Sequence, residues 1–125
     1  YLGGQYFLTV DEIKLSKGVL SLIEGKHTSK VLLPSRGDIK DGLLKMILYC
    51  NLSDTKVDGK KISCKPILEL TSTKLKGTIN SNSSDTEVEN FFVKNSFSSS
   101  RISLVTALFA ETKSNNFTVN IKQVK

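Results

Sequence analysis

The chain has 125 residues, 38% hydrophobic and 24% charged, which suits one domain, 1–125, with a packed core and excludes wholesale disorder. No apolar run approaches the ~18 residues of a membrane span. The net charge is +6, yet 16 of the 18 basic residues are lysine and only Arg36 and Arg101 are arginine. Such a surface favours solubility or loose attraction of polyanions over bidentate reading of bases. No signal peptide is seen, the chain begins at Tyr1 and its only methionine is Met46, as expected of a processed product or an excised domain.

Alternation of period two dominates the chain. In the stretch 12–33, a turn at Lys17-Gly18 sets Ile13 opposite Leu22 and Leu15 opposite Leu20, all apolar on one face. A second turn at Gly25-Lys26 would set Leu20 opposite Val31 and complete a three-stranded meander. Pro34 to Gly42 has the composition of a loop. Leu43 to Cys50 is apolar on both parities and fits a strand buried on both faces. Ile62 to Leu70 alternates, with Ile62, Cys64, Leu68 and Leu70 inward. Pro66 removes a ladder donor there and predicts an edge or a bulge.

A link of Thr71 to Lys74 would place Leu70 opposite Leu75, in a short strand ending near Ile79. Asn80 to Asp85 is a polar loop, Glu87 to Val93 a strand, and Lys94 to Ser100 a second loop. Arg101 to Phe109 fits a strand or a short helix, and its β-branched residues favour strand. Phe117, Val119 and Ile121 mark a last strand. The sum is all-β: a single-domain sandwich of about eight or nine short antiparallel strands, immunoglobulin-like first and a partly open barrel second.

The two cysteines bracket an Asp58-Gly59 pair that favours a two-residue turn. That turn pairs residues whose numbers sum to 117 and leaves Cys50 and Cys64 about 10 Å out of register at strand spacing. Pairing Cys50 with Cys64 instead keeps Leu48, Cys50, Cys64 and Leu68 on one face. It predicts a disulfide across neighbouring antiparallel strands, with Asp58-Gly59 inside a longer excursion, and hence an extracytoplasmic setting, secreted, cell-surface or periplasmic. With thirteen residues between them and no C-x-x-C, the cysteines offer neither a redox motif nor a zinc pattern.

Candidate functional features are sparse. Arg36-Gly37-Asp38 could form a projecting receptor-binding loop whose carboxylate completes a metal shell; a plain turn explains it as well. Sequons start at Asn51, Asn82 and Asn116. His27, the only histidine, reads as a surface turn residue facing Glu24. The pairs Asp38/Asp41 and Glu87/Glu89 read as solvated charge. Lys56, Lys60, Lys61, Lys65, Lys74 and Lys76 form a candidate patch for polyanions, though without the aromatic platforms of single-strand binders. There is no G-x-S-x-G, H-E-x-x-H or P-loop. The expectation is a non-enzymatic interaction module without cofactor or metal, a surface or adhesion domain or a subunit of a larger assembly, acting on a protein partner or an anionic glycan. The alternative is an intracellular barrel that binds polyanions such as nucleic acid through lysines.

Overall fold

The computed structural model describes residues 11–50, 56–57, 60–61 and 63–124, with 56–57 and 60–61 as backbone only. The fold is α/β, not an all-β sandwich or barrel. The elements are β1 (Glu12–Ser16), β2 (Val19–Thr28), α1 (Arg36–Cys50), β3 (Lys56–Val57), β4 (Lys60–Lys61), β5 (Ser63–Ser72), β6 (Thr78–Asn80), α2 (Asp85–Lys94), α3 (Ser99–Asn115) and β7 (Thr118–Gln123). Five strands form one mixed sheet in the order β1-β2-β5-β7-β6, and β3 pairs only with β4.

The first hairpin follows the alternation. Lys17 and Gly18 both adopt positive φ, 51° and 77°, as the turn between right-twisted strands requires, and Ile13 faces Leu22 while Leu15 faces Leu20. No turn forms at Gly25-Lys26. β2 runs through to Thr28 and pairs in parallel with β5 from Val19↔Ser63 to Thr28↔Ser72. Parallel neighbours need a long crossover, and α1 supplies it.

The stretch 34–50, expected as a loop and a strand, is therefore a cap and a helix. The Ser35 hydroxyl accepts a hydrogen bond from the Asp38 amide at 3.1 Å, satisfying an open donor of the first turn. Asp38 adds a favourable charge there. Ile39, Gly42, Met46 and Tyr49 are buried, the three-and-four spacing of a helix face. Gly42 lets α1 settle on β5: a Cβ there would stand 2.6 Å from a Leu68 methyl carbon.

β5 keeps its expected inward face, with Pro66, Leu68, Leu70 and Ser72 buried. It is nevertheless a central strand. Pro66 is tolerated because pairing with β7 begins one residue later, at Ile67↔Thr118. Leu70 does not face Leu75; β6 pairs with β7 instead, through Ile79↔Ile121. Val119 and Ile121 are fully buried and join Leu68, Leu70, Phe91, Val105 and Leu108 in one core, so the helices cover one face of the sheet in a two-layer arrangement.

The stretch expected as a strand at 87–93 is α2. Ser84 accepts from the Glu87 amide, and the Glu87 carboxylate accepts from the Ser84 amide, a capping box that ties the chain into a helix. α3 starts in the same way, with Ser98 accepting from the Arg101 amide, and ends at Asn116 in the left-handed region; Arg101 to Phe109 is thus helix. Phe97 stacks on Phe92 and meets Phe91 edge-on, at centroid distances of 5.4 and 5.6 Å. Replacing Ser84 with Ala should cost about 1 kcal/mol and lower the Tm by roughly 3–6 °C. A calorimetric Tm unchanged within error would contradict the cap's role.

No disulfide joins Cys50 and Cys64. The face-parity register assumed two antiparallel strands, but Cys50 ends a helix and Cys64 sits on β5 beside Leu20 of β2. The Cys50 thiol donates to the Asn115 carbonyl at 2.6 Å, and burial raises its pKa. Val57 pairs with Lys60 and Lys56 with Lys61, the register summing to 117 that the disulfide reading had set aside. Asp58, Gly59, Ile62 and the Asn51 sequon lie outside the described residues.

Candidate functional site

The helix-facing parity of β2 runs Leu20, Leu22, Glu24, Lys26. Two charged residues thus stand where the pattern calls for core. Glu24 is 1% exposed and lies next to Leu68 in the sheet register. A buried carboxylate must be paired, and α1 brings the partner: Lys45 Nζ donates to both Glu24 oxygens, at 2.8 and 3.3 Å. One turn earlier on the helix, Asp41 accepts from Lys26 Nζ at 2.8 Å and lies 3.9 Å from Lys45.

Asp11, immediately before β1, completes the group. Its carboxylate accepts from the Gly25 amide at 2.9 Å, and that bond, more than any other influence, holds its pKa below the usual value. Continuing the β1–β2 register places Asp11 opposite Glu24, which also lowers the Asp11 pKa. Asp41 is likewise held low by Lys26, while Lys26 and Lys45 are pushed above the ordinary lysine value by Asp41 and Glu24 respectively. Tyr49, one turn beyond Lys45, is raised first by burial and then by Glu24. Three carboxylates against two ammonium groups leave one net negative charge. Glu24 is buried, while Asp11 and Asp41 are exposed.

The other sequence candidates are dispersed. Arg36-Gly37-Asp38 is the first turn of α1, not a loop. His27 is exposed on the opposite sheet face, its Nδ1 2.8 Å from the Thr71 hydroxyl. Glu87 is spent on the α2 cap and Glu89 is exposed on the same helix. Lys65 lies near the start of β5, whereas Lys74 and Lys76 follow its end. They are separated by roughly 23 Å of strand at ~3.3 Å per residue. Lys56, Lys60 and Lys61 lie on the small β3-β4 hairpin. Lys74 and Lys76 thus stand at the opposite end of β5 from Lys65.

No known protein family, curated protein or solved structure matches the chain. The group around Glu24 therefore stands on its chemistry. An apolar side chain at position 24 would pack against Leu68 with no partner to find, and replacing buried ion pairs by hydrophobes is often neutral or stabilising. A buried carboxylate with perturbed charged neighbours is a pattern found at working sites. Among the described residues no three His, Cys, Asp or Glu side chains converge on a common point. Mg²⁺ commonly takes one or two protein carboxylates and completes its octahedron with water and substrate phosphate.

The group was missed because a turn at Gly25-Lys26 splits Glu24 from Lys26, and because Asp11 precedes the first strand. The signal was present: two charged residues at core parity directly after Leu20 and Leu22.

Proposed function

We propose that the chain is a divalent-metal-dependent phosphodiesterase acting on nucleic acid. The observation that carries the reading is the Asp11–Glu24 carboxylate pair beside the Lys26 and Lys45 ammonium groups. Asp11 and Glu24 would hold a divalent cation, which would offset the repulsion of neighbouring carboxylates and, when bound, would supply an activated water for hydrolysis of a phosphodiester, with water as the nucleophile and the alcohol oxygen of the broken P–O bond leaving protonated.

Lys26 serves this step as a cation. Its raised pKa keeps it protonated at neutral pH, so it neutralises charge developing on the phosphate and does not act as the base. The overall charge of +6 adds a long-range attraction for a polyanion. The contact-module reading loses its two main supports, the sandwich and the disulfide. Among the described residues no helix is long and apolar enough to cross a membrane.

The test is incubation of purified chain with labelled single- and double-stranded oligonucleotides in Mg²⁺, Mn²⁺ or EDTA. Cleavage in the metal arms and none in EDTA is expected. Intact substrate in every arm, or equal cleavage with EDTA, would sink the assignment.

A further inference from the structure

Both arginines of the chain meet in one place. Arg36 at the start of α1 and Arg101 in the first turn of α3 line a cleft of about 290 Å³ with Leu33, Ser98, Ser100 and Leu104. Arg36 donates to the Ser100 hydroxyl at 2.8 Å. That bond orients the guanidinium and leaves other donors of its five-donor fork for another partner. No carboxylate lines the cleft, and among the described residues neither guanidinium is in an ion pair. Two like charges sharing a concavity without a counter-ion repel each other until an anion arrives. The planar fork of arginine fits phosphate oxygens bidentately, which the lysines elsewhere on the chain do not.

We infer that the Arg36–Arg101 cleft binds a phosphodiester group of the substrate strand away from the scissile bond. The assignment rests on the phosphodiesterase reading and extends it to a second contact. Arg36 and Lys45 stand on the same helix, roughly 14 Å apart along its axis at ~1.5 Å per residue and on opposite sides of it at ~3.6 residues per turn, so a strand that reaches both sites crosses α1. The cleft thus fixes the register of the strand while the carboxylate site performs the chemistry. It also gives Arg36 a use that a receptor loop does not.

The experiment separates binding from cleavage by working in Glu24→Gln chain. Affinity for a fluorescent oligonucleotide is measured over a range of NaCl, beside inorganic phosphate as a competitor. Arg36→Gln with Arg101→Gln should weaken binding about tenfold or more and reduce the slope of log affinity against log salt by roughly 0.7–0.9, the value for one lost phosphate contact. Ser100→Ala, which removes the hydrogen-bond partner but no charge, should keep the slope. If the Gln pair fails to fold, Arg36→Lys with Arg101→Lys keeps the charge, so slope retained with lowered affinity is the expected result. An unchanged slope in the Gln pair, unchanged affinity in the Lys pair, or loss of inorganic phosphate binding alone would overturn the cleft. Failure of the wild-type chain to cleave, with the slope effect intact, would instead remove the nuclease reading and leave the phosphate site.

Discussion

Glu24→Gln should slow metal-dependent phosphodiester cleavage by roughly 10²–10³-fold, as should Lys26→Met, but the two losses should differ in kind. Gln keeps the shape of Glu24 and can still accept from Lys45, so the fold is preserved while half of the anionic cation site is removed. Raising Mn²⁺ or Mg²⁺ should therefore recover part of the rate. Lys26→Met leaves both carboxylates in place and removes the ammonium that answers charge on the phosphate. Added metal should not rescue it, and its defect should fall mainly on kcat. Lys26 is pushed above its ordinary value of 10.5 by Asp41, so activity that depends on charged Lys26 should persist through neutral and mildly alkaline pH. Initial rates over metal concentration check all of this. A Lys26→Met enzyme within a few-fold of wild type would remove Lys26 from the reaction.

How far the sequence carried the fold can be seen strand by strand. The β1-β2 register, the inward face of β5 and the Val119/Ile121 alternation were legible, because one-sided burial makes period two unambiguous. α1 was not. From Leu43 to Cys50 nearly every residue is apolar, and such a run fits either period. Its helix is set by the Ser35 cap and by Ile39 and Gly42, which the loop-like composition of the preceding segment obscured. α2 carried a readable signal in Ser84-x-x-Glu87. α3 began with β-branched residues whose strand propensity yields to packing of Val105 and Leu108 against the sheet.

Reading α1 as a strand entails antiparallel pairing of 43–50 with 62–70, and with it a disulfide that the structure does not contain. The candidate site was hidden by the same step. Its residues come from β2, the residue before β1, and α1, and only the parallel crossover brings them together. Glu24 and Lys26 at core parity were the one local clue.

Lys45→Met tests whether the buried carboxylate is held by that single helix residue. The replacement keeps the stem and removes the charge, leaving Glu24 1% exposed beside Asp11 without its ammonium partner. Breaking a buried pair in this way costs about 3–5 kcal/mol. The lower figure applies, because Lys45 keeps 31% of its side chain exposed and water can reach the gap. The sign of the pH dependence is distinctive. In the wild-type chain, the contribution of Lys45 is fully present below 10.5 and lost as pH rises through its raised value, while those of Asp11 and Asp41 are present above 3.8 and lost as pH falls. The variant lacks the Lys45 contribution, so its deficit relative to wild type should be present through neutral pH and shrink as pH rises through the raised Lys45 value. Mg²⁺ should reduce the deficit too, raising the Tm of Lys45→Met more than that of wild type, since the cation replaces the missing positive charge. Chemical denaturation of both chains across pH, with and without Mg²⁺, gives the comparison. A deficit independent of both pH and metal would mean that Glu24 is satisfied elsewhere and that the carboxylate pair is not a cation site.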